Sequence, residues 1–278
     1  MSFLALLLAL LIEQARPLAE RNPIHDAMRR YARWMQRTLD AGLTGHAVSA
    51  WLLSVVGPAV LACVVHWVLM SVLGWPVAML WSVALLYPTL GFRQFSHHFT
   101  DIRDALDSGD ETRARELLAD WKHVDASLLP RHEIVRHVIE HSAVAAHRHV
   151  FGVLAWFSVL AALGLGPAGA VLYRMAEYAS RLWREVGVHR DGSPLASEEL
   201  SRWAAQAWRV IDWVPARLTA LSFAVVGNFE EAIDCWRTHA QQFPDDNDGV
   251  VLAATSGAVN VRLGGEGLRP QQALSDDE

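Results

Sequence analysis

The longest apolar stretch of the chain covers residues 47–92 and contains no Lys, Arg, Asp or Glu. This stretch is roughly twice the ~20 residues that a helix needs to cross the ~30 Å hydrocarbon core of a bilayer. Gly74-Trp75-Pro76 interrupts it near the middle. Because backbone polar groups in lipid must be paired within the chain, the pattern predicts a transmembrane helical hairpin with arms at 48–73 and 76–92. The alternative is a buried hairpin in a soluble all-α protein, although soluble helices usually keep a polar face.

Two further apolar segments follow later in the chain. Residues 150–183 begin as an apolar run, are broken at Gly166-Pro167, and then mix apolar residues with arginine and glutamate. This segment either spans once or enters the membrane, bends and returns along a polar interior, and the second is favoured because lipid disfavours exposed charge. Residues 210–227 form the last apolar segment. The predicted fold class is all-α: a polytopic integral membrane protein with about four membrane-embedded helical segments and cytoplasmic amphipathic helices.

Arginine-rich polar segments predict which side of the membrane faces the cytoplasm. Residues 13–40 carry Arg16, Arg21, Arg29, Arg30, Arg33 and Arg37. Residues 93–149 are also rich in arginine, so the positive-inside rule places both segments on the cytoplasmic side of a multi-pass membrane protein. From residue 26 the pattern is that of an amphipathic helix, which suits the membrane surface or an ordinary docking helix. The short apolar segment 1–12 could dip halfway into the bilayer or dock against the hairpin.

Composition fits a membrane protein that keeps substantial polar segments. Of 278 residues, 52% are hydrophobic and only 19% are charged, and mean hydropathy is +0.17. The formal net charge of −6 gives no support to nucleic-acid binding. The two cysteines, Cys63 and Cys235, provide no disulfide framework.

Histidines are concentrated in one polar segment. Eight of the 13 lie within residues 97–149: His97, His98, His123, His132, His137, His141, His147 and His149. On the helix predicted after Pro130, Glu133, His137, Glu140 and His147 fall on roughly one face. Imidazole and carboxylate groups can bind zinc or iron, but this spacing matches no metal motif, so no metal ligand is assigned. A hydrogen-bonded polar face, a substrate contact and a metal site all stay open.

Ionised residues in the later apolar segments are the sharper signal. Asp212 and Arg217 lie in the last apolar segment, where charge is costly and usually paired or functional. A mutual ion pair is possible, with Pro215 loosening the helix between them. Arg174 and Glu177, three residues apart, are natural companions. A functional role and a purely structural pair both stay open.

Several motifs in order along the chain resemble the CobD/CbiB family of cobalamin-biosynthesis membrane proteins. The strongest is the segment Trp213-Val-Pro-Ala-Arg217-Leu-Thr, which resembles a family signature ending in P-A-R-L-T. Weaker matches are the early Asn-Pro-Ile-His25, the Gly-Pro-Ala-Gly-Ala run at 166–170, and Val261-Arg-Leu-Gly-Gly. The resemblance covers nearly the whole chain and implies one membrane domain over 1–265, in a bacterial inner (plasma) membrane as a multi-pass protein. The polar tail at 266–278 is expected to be disordered.

The resemblance implies an amide condensation. An aminopropanol or its phosphate would be joined to a carboxylate of adenosylcobyric acid, with ATP and a divalent metal expected. It assigns Arg217 and Arg174 to holding phosphate, and Glu140 and Asp212 to metal binding or proton transfer. Several family carboxylates are missing here: where the family has E-N-x-x-D, Glu140 is kept, but His141 replaces the Asn and Val144 replaces the final Asp.

The segment 210–218 is also similar to AmpE proteins, inner-membrane modulators linked to β-lactamase induction, because Asp212 takes the place of the Asn of the CobD/CbiB signature. Two hypotheses result. One is an enzyme of cobalamin side-chain assembly. The other is a non-catalytic signalling modulator that keeps the same charges as a buried network. The expected partners are the lipid bilayer and either a corrinoid substrate or another membrane protein.

Overall fold

A computed structural model describes residues 2–16, 23–122, 125–184 and 196–264. Within these ranges every regular element is helical, which confirms the all-α prediction. The predicted tail at 266–278 lies outside the described residues. The α-helices are α1 Ser2–Ala15, α2 Pro23–Leu39, α3 Thr44–Val72, α4 Trp75–Thr89, α5 Phe92–Asp107, α6 Glu111–Lys122, α7 Arg131–Ala146, α8 Gly152–Ala162, α9 Ala168–Leu182, α10 Glu198–Ile211, α11 Trp213–Val226, α12 Phe229–His239 and α13 Asp246–Val259.

The predicted hairpin is present as α3 and α4, which pack against each other. Gly74 makes the turn with φ of 83°, and Trp75-Pro76 starts α4, where the missing proline N–H costs nothing. The 29 residues of α3 extend about 44 Å, longer than the ~30 Å hydrocarbon core, whereas the 15 residues of α4 reach only about 22 Å. The helix α1 docks on α4 with Ala5 and Ala9 buried, one of its two predicted placements.

One long helix carries the chain from its polar middle into the second apolar segment. A π-helical turn, His147–Phe151, joins α7 to α8 without a break, so residues 131–162 are continuous. The chain then turns through Gly164 (φ 79°) and Gly166 (φ 57°), at the predicted break, and α9 packs back along α8. Gly169 allows this close approach, because a Cβ there would lie 2.0 Å from the Trp156 carbonyl oxygen.

Two of the described helices are long and apolar enough to cross a membrane, namely residues 44–72 and 131–162. Only 33% of the most apolar part of each is buried inside the protein. On α3 the side chains of Leu61, Trp67 and Val72 are more than half exposed. A continuous apolar surface of this kind needs a covering, and a lipid bilayer supplies one.

The contacts divide the chain into two compact units. Unit 1 contains residues 1–92 and 147–219, and its core is built around α9, whose buried side chains include Tyr173 and Trp183. Unit 2 contains residues 93–146 and 220–278. It has an apolar cluster centred on Ile102, Leu118 and Ile134, and α12 packs closely on α13.

Candidate functional site

A fully buried polar cluster in unit 1 joins Asp212 to His147 and Tyr173. Asp212 Oδ1 accepts hydrogen bonds from the Tyr173 hydroxyl at 2.7 Å and lies 2.9 Å from His147 Nε2. On the other side of the ring, His147 Nδ1 lies 2.9 Å from Thr219 Oγ1, whose proton goes to the Pro215 carbonyl. The cluster is therefore a hydrogen-bonded network sealed from solvent.

Local structure explains how these groups meet. Asp212 closes α10, and Trp213 starts α11 with Pro215 in its first turn, where proline is tolerated. His147 begins the π-helical turn, a feature found often at functional sites. Gly152 leaves room for Tyr173, because a Cβ on Gly152 would lie 2.0 Å from the tyrosine ring.

A second buried charge cluster follows Tyr173 on α9. Arg174 Nη1 lies 3.4 Å from Glu177 Oε2, as the three-residue spacing predicts, and Arg181 Nε lies 3.8 Å from Glu177 Oε1. His25 Nε2 lies 3.2 Å from the Pro88 carbonyl oxygen. Burial, and after it the positive charge of Arg174, lowers the pKa of His25, with smaller contributions from other nearby arginines. The cluster of Arg174, Glu177 and Arg181 therefore contains one more arginine than carboxylate.

Arg217 has a different environment from Asp212. Its guanidinium lies 4.0 Å from the centre of the Trp213 ring, and Nη1 donates to the Trp213 carbonyl at 2.9 Å. The described contacts pair Asp212 with His147 and Tyr173, so the ion pair suggested between Asp212 and Arg217 is wrong. The reason is distance along the helix: a separation of five residues places the two side chains on different faces.

In unit 2, Glu140 belongs to a network centred on Arg136. Arg136 donates from Nε to Glu133 Oε2 at 2.9 Å and from Nη1 to Glu140 Oε1 at 3.0 Å. His137 Nδ1 lies 3.4 Å from Glu140 Oε2, and the Gly264 amide donates to Glu140 Oε1 at 2.8 Å. Glu133, His137 and Glu140 thus share a face, as predicted. Sequence reasoning missed Arg136, although its spacing from both glutamates was a usable signal.

The structure brings Arg174, Asp212 and Arg217 into unit 1 and places Glu140 in unit 2. Asp212 connects through Tyr173 to the residue beside Arg174. Asp212 and Arg174 are buried, at 0% and 5% exposure, whereas Arg217 is partly exposed. Exposure therefore favours Arg217 as a residue that could contact a ligand, whereas the buried Asp212 and Arg174 can only position neighbouring residues.

The donor groups do not form a divalent-metal site. Across the described ranges, no group of three or more His, Cys, Asp or Glu side chains is placed to hold a metal ion. Asp212 Oδ1 is already taken by His147 and Tyr173, and its buried Oδ2 has no hydrogen-bond partner among the described residues. Glu140 is held by Arg136 and Gly264. Since Mg²⁺ is usually held by one or two accessible carboxylates together with substrate phosphates, no ligand is assigned.

Comparisons with known proteins agree on one family. The family model described as "CobD/Cbib protein" matches residues 2–278. The chain is 31% identical over 274 residues to "Cobalamin biosynthesis protein CobD" of Stutzerimonas stutzeri (strain A1501), covering 96% of this chain and 83% of that protein. It is 35% identical over 187 residues to the protein of the same name from Chromobacterium violaceum, covering 66% of this chain and 55% of that protein. No solved structure matches significantly. The AmpE resemblance gains no support from these relatives.

Proposed function

Because this chain belongs to the CobD/CbiB family, we propose that it is an inner-membrane protein of cobalamin biosynthesis that joins an aminopropanol, or its phosphate, to a carboxylate of adenosylcobyric acid. The observation that carries this proposal is the family match, which extends over residues 2–278. The relatives that match are named for cobalamin biosynthesis, and one of them aligns with 96% of the chain.

The proposed reaction forms an amide bond between an amine and a carboxylate, and the carboxylate oxygen that is displaced leaves in the phosphate released when ATP is converted to ADP. ATP, when bound, supplies the free energy that activates the carboxylate. Arg217 is the proposed contact for an anionic group, because its guanidinium is partly exposed and is oriented by Trp213. Asp212 and Arg174 are proposed to position the α9–α11 region, and Glu140 to fix the 261–264 segment through the Gly264 amide.

We further propose a multi-pass topology with the N-terminal segment and residues 93–149 in the cytoplasm. The apolar helix at 44–72 and the apolar C-terminal part of the helix 131–162 support membrane embedding, and the arginine distribution supports this orientation. The number of embedded segments is proposed as about four. Labelling with a membrane-impermeant maleimide tests the orientation: on a background lacking Cys63 and Cys235, Leu73→Cys should react in intact spheroplasts and Asp120→Cys only after permeabilisation. The reverse pattern would overturn the topology.

Complementation tests the function. A strain lacking its own CobD/CbiB protein is grown where growth requires cobalamin, with cobyric acid supplied. The chain should restore growth, with the Stutzerimonas stutzeri relative expressed from the same promoter as the positive control, and added cobinamide should make it dispensable. If the chain fails to restore growth despite verified membrane expression, while the relative restores it in parallel, the proposed enzyme function is contradicted and a non-catalytic role is favoured.

A further inference from the structure

A surface cavity of about 290 Å³ in unit 1 is lined by Arg29, Arg33, Tyr178, Arg181 and Leu182. We call it the arginine pocket. Arg29 and Arg33 lie one turn apart on α2, so both side chains project from the same face. Arg181 comes from the last turn of α9, and its guanidinium lies 5.6 Å from the centre of the Tyr178 ring.

The pocket has an excess of positive charge. Glu177 is the neighbouring carboxylate, and it is shared between Arg174 at 3.4 Å and Arg181 at 3.8 Å. The contact with Glu177 uses Nε of Arg181, which leaves its terminal nitrogens outside that pair. Within the described residues, no ion pair to a carboxylate is found for Arg29 or Arg33. The arrangement is unlike a solvated charged surface, in which arginines and carboxylates are usually interspersed.

The scaffold under the pocket is rigid. Tyr178 is 9% exposed, and all residues of α9 from Tyr173 to Ser180 are buried. On α2, Ala32 and Gln36 are buried, and the helix packs against α3. The arginine side chains are therefore presented by two fixed helices, which reduces the entropy lost when they close on a ligand.

A phosphate group is the ligand that fits this chemistry. Planar guanidinium groups bind phosphate oxygens in pairs, and a phosphate monoester carries about −1.5 to −2 charges near neutrality. The volume of about 290 Å³ lies just below the ~300–1,000 Å³ range of ligand pockets, so it suits a small phosphate ester better than a corrinoid ring.

We propose that the arginine pocket binds the phosphate monoester group of a small ligand through Arg29, Arg33 and Arg181. The assignment of that ligand as the aminopropanol phosphate rests on the proposed function. The same chemistry could be supplied by the monoester headgroup of phosphatidic acid, because α2 is amphipathic and could lie near a membrane surface.

Calorimetric titration of the purified full chain in phosphatidylcholine nanodiscs tests whether the arginine pocket binds a soluble phosphate ester. O-phosphoethanolamine and inorganic phosphate are the probes, and ethanolamine is the probe without phosphate. The variant Arg29→Gln/Arg33→Gln should weaken phosphate binding about tenfold or more, since each charged hydrogen bond is lost separately. Arg181→Lys keeps the positive charge but loses the paired N–H donors of the guanidinium. Its affinity for phosphate should therefore lie between those of the double variant and the wild type.

The matched control is Arg30→Gln/Arg37→Gln, which removes the same charge from the same helix outside the pocket. It should leave binding within about twofold. Nanodiscs of phosphatidylcholine mixed with phosphatidic acid test the lipid source, read by which lipid stays bound in native mass spectrometry. Retention of phosphatidic acid that is lost in Arg29→Gln/Arg33→Gln, with no binding of soluble phosphate, would support the site and identify a headgroup as its ligand.

Absence of both kinds of binding, or equal weakening by the control variant, would overturn the inference. Complementation by the wild-type chain keeps this result separate from the proposed function. Phosphate binding without complementation supports the site and contradicts the proposed enzyme function, whereas complementation without binding of either soluble phosphate or phosphatidic acid contradicts the site alone.

Discussion

His147 Nε2 lies 2.9 Å from Asp212 Oδ1, and neither side chain exposes any surface. The two residues are separated by 65 positions in the chain. The contact fixes the π-helical turn between α7 and α8 to the start of α11, next to Pro-Ala-Arg217. A buried hydrogen-bonded network of this kind is costly to break, because removing one partner leaves the other buried polar groups unsatisfied.

Asp212→Ala is therefore expected to lower the free energy of unfolding by about 1–3 kcal/mol, since His147 and Tyr173 lose their common hydrogen-bond partner. Thermal unfolding in detergent micelles measures the change. Asp234→Ala, at an exposed position of α12, is the control and should shift stability by less than about 0.5 kcal/mol. Equal stabilities of the two variants would show that the buried pair does not hold this region together.

Gly152→Ala tests the approach of Tyr173 to α8. The added Cβ would lie 2.0 Å from the tyrosine ring, so the ring must move and its 2.7 Å bond to Asp212 must lengthen or break. We expect a loss of about 1–3 kcal/mol in detergent unfolding. Gly45→Ala, with no atom within 4 Å of its added Cβ, should be neutral or stabilising by up to about 1 kcal/mol. The packing model fails if both variants unfold alike.

Arg136→Gln tests the network of unit 2. The change leaves Glu133 and Glu140 without their shared guanidinium, and should cost about 1–3 kcal/mol. Arg202→Gln is a matched control because Arg202 also contacts two glutamates, Glu198 and Glu199, but is about half exposed. Its loss should stay below about 1 kcal/mol. A larger loss of stability in Arg202→Gln than in Arg136→Gln would contradict the expectation that the more buried ion pairs contribute more.

His25 should contribute to loss of stability in mild acid. Its folded-state pKa is lowered, first by burial and then by Arg174, so the unfolded chain takes up a proton at a higher pH than the folded one. Stability associated with His25 is therefore present above the unfolded pKa of about 6.5 and is lost as pH falls below it. The decrease in Tm between pH 7.5 and pH 5.5 should be smaller in His25→Gln than in the wild type. His46→Gln, at an exposed position, should retain the full drop.

Local signals in the sequence were enough to predict several elements. The apolar run with its Gly-Trp-Pro interruption gave α3 and α4, and Gly166-Pro167 marked the turn before α9. The helix predicted from residue 131 into the next apolar block is the continuous helix 131–162. Each of these depends on hydrophobicity or backbone restriction within a few residues.

Contacts between distant segments could not be read in the same way. Asp212 was correctly singled out as a charge in an apolar segment, but its partners His147 and Tyr173 come from other helices. The π-helical turn that positions His147 has no sequence signature comparable to a glycine or proline. The arginine pocket combines side chains from α2 and α9, which are distant in the sequence. The arginines within residues 13–40 therefore predict only a location near the membrane surface, and not the pocket.

Direct observation of the product tests the central claim most closely. Purified protein in nanodiscs is incubated with adenosylcobyric acid, an aminopropanol or its phosphate, ATP and Mg²⁺, and the corrinoids are separated and weighed by mass spectrometry. The account predicts a new corrinoid whose mass equals the two substrates minus one water. Unchanged adenosylcobyric acid with both amines, under conditions where the Stutzerimonas stutzeri relative forms the product, would contradict it.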